Sequence, residues 1–234
     1  MPLFATDLAL RTANNGFVLV SAALVLMMTP ALALFYSGFV RSRNVLNTMV
    51  MSFTAMALVS VLWVLFGYSL AFSPGSGPLA PFIGGWQWAG LSNWSAPAAG
   101  GQLSHGAVAF FQATFAIITP ALISGAVVER MAFRAWVLFL LLWSTLIYLP
   151  LAHMVWGPGG FLGPEGLGAI DFAGGLVVEL PSGVAAAVAA LVVGRRRSLN
   201  AGHAAPPHNV PFILMGAGLL WFGWFGFNGG SGLV

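Results

Sequence analysis

Apolar runs long enough to cross a bilayer recur six times along the chain, with polar residues confined between them. A hydrocarbon core of ~30 Å takes about 20 apolar residues at ~1.5 Å rise each. On that measure the spans fall at about 17–40, 45–72, 105–128, 135–156, 171–194 and 210–234. Pro30 and Pro120 lie inside the first and third spans, and residues 73–104 form a loop rich in Gly, Pro, Ser and Trp. The sixth span is still running at Val234. The pattern predicts an all-α polytopic membrane protein, with residues 1–234 as one transmembrane domain. The opening MPLFATDLALRTANNG sets Asp7 before Arg11 and has no compact apolar core before a cleavage site. It reads as a short leader onto the first span, not as a signal peptide.

Charge then orients the spans. The loops after spans one, three and five hold Arg41 and Arg43, Arg130 and Arg134, and Arg195 to Arg197; the loops after spans two and four hold no Lys or Arg. Positive-inside bias places the arginine loops in the cytoplasm and the N-terminus outside. The chain is 59% hydrophobic and only 6% charged, against about 25% charged in ordinary soluble domains. A net charge of +3 carried by such clusters is not a nucleic-acid signal. With no cysteine, disulfides, thiol chemistry and zinc–cysteine sites are excluded.

The richest stretch for chemistry is Asp171 to Arg197. Asp171 stands at the helix start, where a carboxylate caps free backbone N–H groups. Glu179 is the sole charge between Phe172 and Gly194. Counted from Asp171 it lies ~12 Å deep, near the midplane. Gly175 and Gly183 flank it on one face, leaving space above and below, and Pro181 is expected to kink the helix beside it. A carboxyl at that depth is a functional candidate. The blander alternative is a hydrogen bond to a neighbouring helix.

Span direction brings further residues to the same end. Phe111, Phe115 and Asp171 lie in the outer parts of inward-running spans; Trp156, Phe227 and Ser231 lie toward the outside of outward-running ones. Aromatic faces, a hydroxyl and a carboxylate suit a small cation. Singly, each has a simpler account: an interfacial belt for Trp156, helix packing for the Phe pairs, a local backbone bond for Ser231. A faint repeat pairs LFYSG at Leu34–Gly38 with GFNGG at Gly226–Gly230, matching Phe35 to Phe227 and Gly38 to Gly230. The two copies run in opposite directions, as in inverted-repeat transporters.

Longer motifs carry a family resemblance: LVLMMTPALALFYSGFVRSRNVLNTM (24–49), LWVLFGYSLAF (62–72), FFQATFAIITPALISGAVVER (110–130), YLPLAHMVWGPGG (148–160), AIDFAGGLVVEL (169–180), PHNVP (207–211) and GWFGFNGGSG (223–232). The chain resembles the N-terminal half of the ammonium transporter family (Amt/Mep/Rh). The resemblance implies the first five-helix repeat of an inverted-repeat ammonium transporter fold plus the start of helix six. It implies ammonium/ammonia passage through a pore in each protomer of a homotrimer, with no cofactor and no enzymatic step. A PII-type regulatory protein is the implied partner at the cytoplasmic face. Trp156 and Ser231 would recruit ammonium, with Phe111 and Phe115 lining the vestibule. Asp171 would order this region, Phe115 and Phe227 would form a stacked gate, and Trp224 would pack beside the pore.

One departure stands out. Glu179 occupies the place of the first of the family's two pore histidines, and Pro181 replaces a small polar residue. None of the four histidines, His105, His153, His203 and His208, is placed as the second. Residues 1–234 are expected not to transport on their own. Two alternatives remain: an ammonium-sensing domain of a signalling protein, or an inactive truncated half. An intramembrane serine protease is also weighed, because residues 229–232 spell GGSG, but no histidine lies in a matching helical motif.

Overall fold

The computed structural model describes residues 2–98, 101–196 and 206–234, so Arg197 and His203 fall outside it. Among these residues it is all-helical, with six helices long and apolar enough to cross a membrane. They are α1 (Pro2–Phe39), α2 (Ser42–Phe72), α3 (His105–Val127), α4 (Phe133–Trp156), α5 (Gly175–Val193) and α6 (Val210–Ser231). α1 starts well before the expected residue 17, so the stretch read as a leader is helical. Hydropathy locates the apolar part of a helix and misses a polar extension. This extension is tied down where Asn15 Oδ1 accepts from the backbone N–H and hydroxyl of Ser104, at 3.0 and 2.9 Å. Within the 73–104 loop, the segments Gly77–Leu79 and Ala89–Leu91 form short 3₁₀ turns.

α3 is the central helix, buried along most of its length, while α5 and α6 leave most of theirs uncovered. Helices in lipid gain little from apolar burial against one another, so close packing and polar cross-links must hold them. The chain uses both. α6 lies antiparallel on α1 through a row of glycines. A Cβ at Gly216 would come within 2.5 Å of the Phe35 backbone nitrogen, and one at Gly226 within 2.6 Å of Ser21 O. The two copies of the faint repeat thus sit on helices packed directly together. Long side chains supply the cross-links by donating to carbonyls of neighbouring helices. Trp63 Nε1 reaches Ala109 O, Trp136 Nε1 reaches Met51 O and Tyr36 OH reaches Leu122 O, each at 2.9 Å.

Three helices contain one wide π turn: Trp63–Gly67, Ser144–Tyr148 and Gly175–Glu179. In the second and third a proline follows at the same offset, Pro150 and Pro181. A proline cannot donate to the carbonyl four residues back, and widening the preceding turn re-routes the ladder. Leu149 N–H then bonds to Ser144 O, and Leu180 N–H to Gly175 O. The disturbance expected at Pro181 therefore takes the form of a π turn that contains Glu179.

The three arginine loops meet at one end. Glu129, only 2% exposed, draws them together. Its Oε1 accepts from Arg41 N–H at 3.0 Å and from Asn44 Nδ2 at 2.7 Å, and Arg41 Nε is 3.4 Å away. Arg196 approaches Oε2 at 3.4 Å. The neighbouring Arg130 guanidinium donates to Ala126 O and Gly194 O, joining the ends of α3 and α5. Glu129 has φ 64°, a left-handed backbone that non-glycine residues seldom adopt. Its side-chain bonds hold it there.

Burial alone pushes the Glu129 carboxyl up, but the Asn44 and Arg41 hydrogen bonds and the charges of Arg196 and Arg41 outweigh it and hold it below its ordinary 4.5. A carboxylate with a depressed folded pKa stabilises the protein above its unfolded pKa, and that stability is lost as pH falls through the folded value. Glu129→Gln should lower stability by about 1–2 kcal/mol at neutral pH, a partly screened estimate. Thermal melting of the detergent-purified protein checks it. The gap between variant and parent should close as the pH falls below 4.5.

Candidate functional site

At the opposite end from the arginines, a cavity of about 480 Å³ opens between α2, α3, α4 and the ends of α5 and α6. Trp156, Asp171 and Ser231, three of the residues singled out in the sequence, line it, together with Gln112, His105 and Tyr68.

Asp171 organises this end. It precedes α5, whose first backbone N–H groups have no helical partner. Its Oδ1 accepts from Gly174 and Gly175 N–H at 2.6 and 2.8 Å, and its Oδ2 from Leu176 and Val177 N–H at 2.8 and 3.0 Å. One carboxylate caps four donors. Gly174 makes this possible with φ 100°, left-handed backbone in which a Cβ would also meet Val178 Cγ2 at 2.9 Å. The main-chain carbonyl of Asp171 accepts from Trp156 Nε1 at 3.0 Å. The carboxylate is therefore committed to backbone, and the indole is oriented by the residue that caps α5.

Phe111, Phe115 and Phe227 do not line the cavity; each is buried. Phe115 and Phe227 are stacked with centroids 4.2 Å apart and planes inclined by 30°. Phe111 adjoins Phe115 at 4.9 Å, and Trp156 meets Phe115 edge-on at 6.1 Å. Trp224, half-buried, lies 5.3 Å from Phe227. Aromatic pairs normally stand about 4.5–7 Å apart, so the central pair leaves no gap between its rings. Each of the three phenylalanine carbonyls accepts a hydroxyl from the following turn. Thr114 reaches Phe111 O and Thr119 reaches Phe115 O, both at 2.6 Å, and Ser231 reaches Phe227 O at 2.7 Å. The local bond considered for Ser231 does form, and it uses the hydroxyl's proton while leaving its lone pairs free.

Glu179 lies apart from this group. α5 begins at Gly175, not at Asp171, so Glu179 stands about 6 Å along the helix rather than ~12 Å. Its side chain is exposed on the surface of this chain. The space expected at Gly175 is partly taken by Glu179 itself, whose Oε2 lies 3.9 Å from where a Cβ would sit; at Gly183 nothing comes within 4 Å.

Of the three described histidines, two bond to backbone carbonyls. His153 is fully buried, with Nδ1 3.0 Å from Ala71 O and Nε2 2.9 Å from Ala80 O. His208 Nδ1 sits 2.8 Å from Val40 O. His105 is in the cavity but paired with Tyr68 OH at 2.9 Å. Ser231 is thus bonded to backbone rather than to a histidine, which removes the basis for a protease reading. Gln112 escaped the sequence reading, although a polar side chain inside an apolar span was a usable signal.

Six membrane-capable helices, with a cavity over stacked aromatic rings at one end, define a multi-pass membrane protein. The sequence profile of the Ammonium Transporter Family matches residues 16–234, and the chain belongs to that family. It is 51% identical to an ammonium transporter of Bacillus subtilis, over 96% of this chain and 54% of the relative. The solved structure of Saccharomyces cerevisiae Mep2 superposes with a TM-score of 0.84 at 38% identity, covering 95% of this chain and 50% of that one. A structure described as a Sensor Amt Protein superposes with a TM-score of 0.83 at 29% identity, covering 96% and 56%. The chain spans about half the length of the curated relatives it matches.

Asp171→Asn tests the cap. A carboxamide has one oxygen acceptor where the carboxylate has two, so two of the four N–H groups lose their partner. The variant should lose roughly 2 kcal/mol of stability, read as a lowered melting temperature. An unchanged melting temperature would show that water replaces the cap without loss.

Proposed function

We propose that this chain supplies the outer recruitment site and one wall of a pore for ammonium or ammonia. One observation carries the reading: Trp156 and Ser231 share a cavity, and Trp156 leans on Phe115 of the stacked pair. The indole face attracts a cation, and the Ser231 oxygen, whose O–H donates to Phe227 O, accepts a hydrogen bond from ammonium. Asp171 acts by holding Trp156 and α5 in place, since both of its carboxylate oxygens already bind backbone. Phe115 and Phe227 act as the gate, because nothing passes between rings 4.2 Å apart until one rotates. Glu179, exposed on this chain, faces the remainder of the pore and handles the proton. The arginine end lies in the cytoplasm, in reach of a PII-type regulator, and the protein works as a homotrimer in the plasma (inner) membrane.

A second reading rests on the likeness to the Sensor Amt Protein. In it the same cavity binds ammonium and reports occupancy instead of passing substrate. Binding without methylammonium uptake by the complete protein would favour it.

Two variants of the complete protein test the transport reading. Trp156→Leu removes ~0.5–2 kcal/mol of cation–π attraction. The apparent half-saturation for ammonium should rise a few-fold to about thirtyfold. An unchanged value returns Trp156 to an interfacial anchor. Glu179→Gln keeps the size of the side chain and removes its titration. As a proton relay Glu179 is required, and ammonium-evoked current should be nearly abolished. Retained electrogenic transport would leave it a replaceable lining residue.

A further inference from the structure

We propose that Gln112 is an oxygen ligand of the recruited cation and selects ammonium over potassium in the outer cavity. The inference rests on the recruitment reading above and adds a residue to it.

The argument is a count of acceptors. Ammonium is a tetrahedral donor of up to four N–H bonds, so a site that holds it must aim acceptors inward. Among the polar groups lining the cavity, most are already committed. Asp171 spends both carboxylate oxygens on four backbone N–H groups and its carbonyl on Trp156. His105 Nδ1 is paired with Tyr68 OH, and in the tautomer in which Nδ1 accepts, Nε2 carries the proton and offers no acceptor. Ser231 Oγ has free lone pairs but is one acceptor only. One hydroxyl and one ring leave most of the ammonium donors unmatched.

Gln112 fills that deficit. It lies on α3 between Phe111 and Phe115, and its side chain lines the same cavity as Trp156 and Ser231. It is 6% exposed, and its Oε1 has no hydrogen-bond partner. A buried carboxamide oxygen without a donor is destabilising unless something completes it. A cation carrying N–H groups does so once the carboxamide turns its buried oxygen toward the cavity.

The same count explains selectivity. Potassium has no directional bonds and needs a shell of several oxygens to replace its water. Two acceptors and a ring are too few for it. For ammonium each acceptor meets one N–H, and the remaining face can rest on the indole. No proton moves in this step; the ion stays whole.

The test uses the complete protein with ammonium and methylammonium as substrates and potassium as competitor. Gln112→Met, close in size and without the acceptor, should raise the half-saturation about tenfold, the value of one hydrogen bond to a charged group. Gln112→Glu keeps oxygen and adds charge. It should hold the half-saturation at or below that of the parent while potassium begins to compete. A residue needed only for packing gives the reverse order, because a buried unpaired charge is worse tolerated than a thioether. That order, or an unchanged half-saturation in Gln112→Met, overturns the proposal. If Gln112→Met does not reach the membrane, the Glu variant decides: a raised half-saturation, or no potassium competition, rejects the ligand role. Trp156→Leu measured alongside separates the layers. A rise there without one in Gln112→Met removes Gln112 alone, whereas no rise in either removes the recruitment reading itself.

Discussion

Inside hydrocarbon a backbone N–H or C=O has no water to turn to, and an unpaired one costs several kcal/mol. Much of this molecule is arranged to meet that demand. Asp171 gives one carboxylate to the four free donors at the start of α5. Pro150 and Pro181 remove donors from α4 and α5, and the turn before each widens so that the ladder resumes. Threonine and serine hydroxyls add a second bond to the carbonyls of Phe111, Phe115 and Phe227. The candidate site is a by-product of the same bookkeeping: the residue that caps α5 also orients the indole of Trp156.

Close approach does the rest. The glycine row on α6 lets that helix lie against α1, and at its far end Gly230 brings α6 onto Phe111: a Cβ there would meet Phe111 Cε2. This seats Phe227 flat against Phe115 and brings Ser231 to the mouth of the cavity. Backbone proximity in lipid gains from van der Waals contact alone, so small residues are worth more than large apolar ones at this seam. At the other end a single buried carboxylate, Glu129, gathers three separate loops by attracting Arg41 and Arg196 and accepting from Asn44.

The uncovered faces are as informative as the packed ones. α5 and α6 present most of their apolar surface outward, including Leu191, Val192, Trp221 and Phe225. Glu179 sits on that surface rather than within the bundle. An ionisable group on an apolar face is costly in lipid. It is tolerable where another protein surface completes a polar path, and the chain spans about half the length of its relatives.

The sequence by itself determined the six crossings, their alternation, the all-helical fold and the family. Each follows from properties written along the chain: long apolar runs, arginines in alternate loops, and motifs of ten or more residues. It also named Trp156, Asp171 and Ser231, because direction of travel through a membrane sorts residues by depth. What it could not supply was distance and pairing. The start of α1 at Pro2 is invisible to hydropathy, since a polar helical extension carries no apolar signal. The count along the helix from Asp171 to Glu179 came out too long because Asp171 caps α5 from outside it and the first turn is π-helical. The cap at Asp171 was expected from its place at the helix start, but that it takes four backbone donors and leaves neither carboxylate oxygen free was visible only in the fold. Gln112 went unnoticed in the sequence until the fold placed it in the cavity with Trp156 and Ser231 and left its oxygen unpaired. Hydrogen-bond satisfaction belongs to three-dimensional neighbours, so only the tertiary structure decides which polar groups are already spent and which remain to hold a ligand.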